Sequence, residues 1–174
     1  MDETTPTAPV GRRSRARVAA EKAWVDIGAS SGKAVHVFRL AGIYGPGRSA
    51  LDNLREGTAR RIVKPGQVFS RVHVEDIASV LEASMARPRP GRVYNVCDDE
   101  PAPPQDVVAY AAGLLGVEPP PEQPYETAEL SPMARTFYKD NRRVRNERIK
   151  RELGVTLAYP TYREGLRGLA AGHA

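Results

Sequence analysis

The sequence has a single cysteine, Cys97, so no disulfide can form within the chain. A lone thiol fits a reducing compartment, and a cytoplasmic location is the expectation. No stretch approaches about 18 consecutive apolar residues, the length a membrane-spanning helix needs. The opening MDETTPTAP has neither a basic leader nor an apolar core, so it does not read as a secretory signal. Signatures of several chemistries are missing too. Cys97 has no C-x-x-C partner and His36, His73 and His173 are scattered, so no metal site is expected. No G-x-S-x-G marks a serine hydrolase. No G-x-G-x-x-G follows a strand pattern, because Gly165, Gly168 and Gly172 lie in a helical region. The usual cradle for a dinucleotide pyrophosphate is therefore absent from these residues. GASSGKA, residues 28–34, imitates a phosphate loop, but only three residues separate its glycines and Ala34 follows Lys33. It reads as a helix stop and a loop.

What is present suits one globular domain of 174 residues, with 41% hydrophobic and 27% charged side chains. The net charge is +5, carried largely by two arginine-rich runs at 11–17 and 141–151. The second run is interleaved with Val144, Ile149 and Leu153 at helical spacing, which reads as the solvated face of an amphipathic helix over 143–153. No zinc-finger, RNA-recognition or basic-zipper spacing accompanies the charge, so nucleic acid is not the expected partner.

The hydrophobic periodicity predicts a helix over 12–27 with Val18, Ala19, Lys22, Ala23, Trp24 and Ile27 sharing a face. Strands follow at 34–40, read as buried, at 67–73 and at 92–98. Helices are expected at 49–56, 75–87 and 104–116, then at 128–136 and 161–170, with 117–124 a proline-rich surface connection. Alternating helices and strands give the fold class: α/β, a partial Rossmann-like, doubly wound and mainly parallel sheet, followed by a small, mostly helical C-terminal region. In such sheets ligands sit beyond the carboxyl ends of strands. FRLAGIYGPGR, residues 38–48, ends a strand in such a place, and its Gly-Pro-Gly is either a plain turn or the mouth of a site. Arg39 lies within an apolar run and needs a partner, for which a carboxylate such as Asp76 is the candidate. Asp76 itself reads as a helix N-terminal residue, His73 as a packed histidine and Cys97 as an inert, partly buried thiol.

Four segments in order resemble the C-terminal part of extended or atypical short-chain dehydrogenases/reductases, the NAD-dependent epimerase/dehydratase group. They are FRLAGIYGPGR, RVHVEDIASVLEAS, RVYNVCDDEPAP and RIKRELGVTLAYPTYREGL. The resemblance implies NAD or NADP as cofactor and a small-molecule substrate. It implies that residues 1–100 belong to the cofactor-binding domain, interleaved with substrate-side segments at about 45–70, and that 101–174 are a small substrate-side region. It places Arg17, Leu40, Ala41, Gly42 and Ile43 against the cofactor and Tyr44, Arg48 and Arg71 toward the substrate. It also implies that the family's first strands and glycine-rich loop lie outside this sequence, which leaves a sheet edge open to association or a homodimer.

Aligned on Ala19-Ala20-Glu21, the family's catalytic Tyr-x-x-x-Lys falls on Arg13 and Arg17. A guanidinium keeps its proton at physiological pH, so Arg13 is no proton shuttle, while the fork of Arg17 suits a ribose or phosphate. Phe69 stands where sugar-nucleotide enzymes of the group carry a phosphate-binding arginine. The resemblance thus leaves two readings, an NAD(P)-binding epimerase/dehydratase or oxidoreductase, and a non-catalytic scaffold of the same fold.

Overall fold

The structure is a computed structural model that describes residues 1–172; His173 lies outside them. The elements run α1 (Arg12–Ser31), β1 (Val37–Leu40), β2 (Gly42–Tyr44), α2 (Ala50–Arg55), β3 (Arg61–Val63), β4 (Arg71–His73) and α3 (Val74–Ala86). They continue with β5 (Val93–Val96), α4 (Pro104–Leu115), β6 (Glu122–Pro124), α5 (Pro132–Phe137), α6 (Glu147–Leu153) and α7 (Tyr162–Ala170). The α/β alternation holds, and every strand pair is parallel.

The apolar run at 36–44 is two strands. β1 pairs with β5, Val37 opposite Val93 through Leu40 opposite Val96. At Ala41 the chain changes partner: the Ala41 amide still donates to Val96 O, while the Gly42 amide donates to Ser70 O and β2 pairs with β4. β3 and β6 form a third pair that the sequence pattern does not show. Each is three residues long and β6 lies inside the proline-rich connection, so neither offers a period to read.

Helix ends follow local chemistry. Thr161 accepts from the Arg163 amide, and the Glu164 carboxylate accepts from the Thr161 amide, a reciprocal cap that opens α7. Pro104 starts α4 and left-handed Gly116 ends it. The GASS of residues 28–31 is not a breaker but the last turn of α1, which ends only at Gly32. The helix expected over 143–153 begins at Glu147. Residues before it are held extended: Val144 N donates to Ser70 Oγ, and Asn146 Nδ2 reaches Cys97 O at 2.7 Å. Arg148 is not on a solvated face; its Nη1 donates to Val93 O.

Two cores result. Val72, Val80, Tyr94, Val96, Ile149 and Leu153 join β4, β5, α3 and α6. Leu51, Ala102, Val107, Ala111, Tyr162 and Leu166 join α2, α4 and α7. α1 belongs to neither. Its only buried residue is Gly28, and the face proposed from the sequence points outward, with Trp24 60% and Ile27 52% exposed. β1 is likewise only half-buried, because β5 is its single neighbour among the described residues. No described helix is long and apolar enough to cross a membrane.

Candidate functional site

Because β1 runs parallel to β5, both strands end on the same side, and the loops that leave them, 41–48 and 97–102, emerge together. The first loop is a tight reversal in which Gly45 and Arg48 exchange both backbone hydrogen bonds. It turns through Gly47 at φ +69°, a conformation that L side chains resist. A Cβ on Gly45 would meet the Val74 side chain at 2.7 Å. The two glycines are thus required by the turn itself.

α1 passes over this end. A Cβ on Gly28 would meet Val35 at 2.7 Å, while Glu21 accepts from Arg39 Nε at 3.1 Å and Nη2 at 2.7 Å. Gly28 therefore lies over the start of β1 and Glu21 near its finish, so helix and strand run antiparallel. At a rise of 1.5 Å per residue, Arg17 lies about 6 Å and Arg13 about 12 Å along the helix from Glu21, and Arg17 lines a groove with Ala34, Val35, His36 and Val37, at the start of β1 rather than its carboxyl end. Leu40 and Gly42 are exposed, with Ala41 and Ile43 turned partly into the core. The partner of Arg39 is Glu21 and not Asp76. Asp76 is buried at the start of α3, and its carboxylate is occupied by the amides of Ala158 at 2.7 Å and Tyr159 at 3.1 Å.

The residues assigned to the substrate separate. Arg48 is exposed on the reversal. Tyr44 is buried, its ring edge-on to His73 at 5.2 Å and pressed against Gly165 of α7. Arg71 is turned inward, and its Nη1 donates to Phe69 O at 2.8 Å and Ala102 O at 3.2 Å.

The interior groups beside the loops differ in what they can do. Burial pushes the Tyr44 phenol well above its ordinary range and the Cys97 thiol up to about 12, so neither is a proton shuttle or nucleophile near neutral pH. Burial lowers the His73 imidazole, and its Nδ1 accepts from the Glu75 amide, which leaves the ring neutral with its proton on Nε2. Asp98 is the group the sequence reading missed. It is 2% exposed, neither carboxylate oxygen has a well-formed hydrogen bond, and burial lifts it to about 7. The Arg71 charge and the amides of Glu100 and Arg71 offset only part of that. An acidic residue directly behind a fully buried strand was the available signal. Among the described residues no cluster of His, Cys, Asp or Glu could hold a metal ion.

No family model matches the chain. Among curated proteins it is 33% identical to the Escherichia coli protein YeeZ over 134 residues, covering 69% of this chain and 42% of YeeZ. It is 32% identical to a Streptomyces 3-diazoavenalumate denitrifying reductase over 152 residues, covering 79% of this chain and 48% of the reductase. A solved structure of a conserved protein of unknown function from Silicibacter pomeroyi shares 62% identity and a TM-score of 0.90, over 99% of this chain and 59% of that one. At 22% identity, dTDP-glucose 4,6-dehydratase from Bacillus anthracis, solved with NAD, has a TM-score of 0.74 over 97% of this chain and 54% of the enzyme. The Pseudomonas aeruginosa enzyme RMD, solved with NADPH, gives 0.73 over 97% and 57%.

The chain has the Rossmann-type fold of the epimerases and dehydratases. It spans about half the length of the curated relatives it matches. On that fold, residues 41–48 follow the carboxyl end of β1.

Proposed function

We propose that the chain is part of an NAD(P)-binding epimerase/dehydratase-like or oxidoreductase-like protein of the short-chain dehydrogenase/reductase superfamily, and that it supplies the wall against the nicotinamide end of the cofactor. The carrying observation is the exposure of Leu40 and Gly42 at the carboxyl end of β1, with Ala41 and Ile43 beside them. Exposed backbone at Leu40 and Gly42 lets a flat ring approach. The cofactor would carry the hydride; these residues bind and orient it. Nothing in residues 1–172 cradles the pyrophosphate, so that task falls to residues outside them. Binding of NAD or NADP by the Bacillus and Pseudomonas enzymes of the same fold supports this reading.

A non-catalytic scaffold of the same fold is the second reading. It is favoured by Arg13 and Arg17 standing where the resemblance expects a Tyr and a Lys, beside interior groups (Tyr44, Cys97) whose protons are held too tightly.

Calorimetric titration with NADH, NADPH and reduced nicotinamide mononucleotide separates the two. The cofactor reading expects the mononucleotide to bind weakly and Gly42→Val to abolish that binding. A Cβ at Gly42 meets nothing closer than 3.4 Å, and thermal melting checks that the variant stays folded. A chain that melts cooperatively and binds none of the three establishes the scaffold reading instead.

A further inference from the structure

The loop that leaves β5 is tied to the β4 side in two places. The Asp98 amide donates to Arg71 O at 2.6 Å, and Phe69 and Ala102 exchange both backbone hydrogen bonds, at 3.0 and 3.1 Å. Arg71 clamps that bridge, since its Nη1 donates to both Phe69 O and Ala102 O. Both acceptors are neutral carbonyls, although a buried carboxylate stands on the same loop. Asp98 is sealed in, and neither of its oxygens has a hydrogen-bond partner. The acids around it are engaged elsewhere: Asp99 with Lys150, Glu100 with Arg163, Glu164 with Arg167, and Asp76 with the amides of Ala158 and Tyr159. From β2 the Tyr44 hydroxyl is within electrostatic reach of Asp98, and it too is buried without a partner. His73, edge-on to Tyr44, is neutral, and Cys97 beside Asp98 keeps its proton. Tyr138 and Tyr162 lie around Arg71.

We propose that Asp98 and Arg71 form a proton-operated latch: while Asp98 holds its proton, Arg71 stays clamped across the Phe69–Ala102 bridge, and when the proton leaves, the carboxylate draws the guanidinium off both carbonyls and loosens the loop over 97–102. An ionised carboxylate in the interior is costly unless it is paired. A forked guanidinium–carboxylate pair is stronger than bonds from the same guanidinium to neutral carbonyls. The hydrogen bond from Asp98 N to Arg71 O keeps the two residues adjacent, so a change of the Arg71 side-chain rotamer brings the charges together. Burial holds Asp98 neutral up to about 7, so the clamped form prevails below that pH and the released form above it. Release reaches the candidate site through the chain itself. Phe69 precedes Ser70, whose carbonyl accepts from the Gly42 amide at 3.1 Å. The inference stands on the packing of this interior and not on cofactor binding, so the two can fail separately.

The test follows amide exchange of the whole chain between about pH 6 and about pH 8, with rates corrected for base catalysis, beside the carbon-13 shift of the Asp98 carboxyl. Protection of the Phe69 and Ala102 amides is expected to fall about tenfold or more over that range, in step with the carboxyl. The amides of Val37 and Ala41, bonded to Arg92 O and Val96 O, report global opening and are expected to lose less. Asp98→Asn keeps the neutral shape and cannot ionise, so its Phe69 and Ala102 protection should stay level. Unchanged protection at Phe69 and Ala102 while Asp98 titrates overturns the proposal. So does a fall shared equally by Val37 and Ala41, which is loss of global stability alone. Both of these outcomes are read on the native chain. A selective fall that persists in Asp98→Asn assigns the event to another group and overturns it as well.

Discussion

Phe38 and Tyr94 are partners across one strand pair, their rings stacked at 5.8 Å, yet Tyr94 is wholly buried and Phe38 only in part. The letters around them are equally apolar. What differs is the number of layers on each side. β5 is flanked by β1, and α6 packs against it with Ile149 and Leu153, while β1 has β5 on one edge and open space on the other. The same contrast separates the whole β4–β5–α7 interior from the α1–β1 face. In the first, polar groups are sealed in and steric tolerances are small. In the second, large apolar side chains touch little. Burial is thus a property of neighbours, and perturbing each region should register in proportion.

The largest effect is expected at Asp98. Its carboxyl group titrates near 7 in the folded chain against an ordinary 3.8, because burial disfavours the charge. Folding therefore takes up a proton between those values, and stability is greatest below about 3.8 and falls as pH rises through about 7. A displacement of that size corresponds to at most about 4 kcal/mol. Urea unfolding at several pH values should show this decline in the native chain and a weaker one in Asp98→Asn, where Asp76, also raised by burial, remains. Equal slopes in the two proteins would mean that the interior around Arg71 and Asp98 admits water, and that the contrast between the regions is weaker than drawn.

Next comes Gly165. A Cβ there would overlap the Tyr44 hydroxyl and stand 2.7 Å from its ring carbons. Gly165→Ala should cost about 2 kcal/mol by overpacking, even though alanine favours a helix. Combining it with Tyr44→Leu should recover more than half of the loss in a double-mutant cycle. Strict additivity would place Tyr44 away from α7.

How much of this was legible beforehand depends on whether a contact is local. The helix over 161–170, the Pro104 start and Gly116 end of α4, the β5 strand and the glycine turn after Tyr44 are decided by residues a few positions apart, and the pattern finds them. The parallel direction of the strands was legible too, since it follows from alternation with helices. Pairings across long separations were not. Glu21 rather than Asp76 neutralises Arg39, Asp76 caps the amides of Ala158 and Tyr159, and β3 finds β6 61 residues away. The helical face of α1 failed for another reason. Periodicity marks a side fit for burial, and the described residues provide nothing to bury it.

The smallest effect is expected on that same face, and its smallness is the informative part. An exposed tryptophan truncated to alanine loses no core contact and gains helix propensity, so Trp24→Ala should change the unfolding free energy of the chain by no more than about 0.5 kcal/mol. Ile27→Asp should behave alike, whereas Gly28→Val, next along the helix, meets Val35 at 2.7 Å and should lift α1 from β1. Amide exchange along α1 reads the distinction: unchanged in the first two variants, faster in the third. A loss of 2 kcal/mol or more in Trp24→Ala would place Trp24 in a packed environment and remove the contrast between the regions.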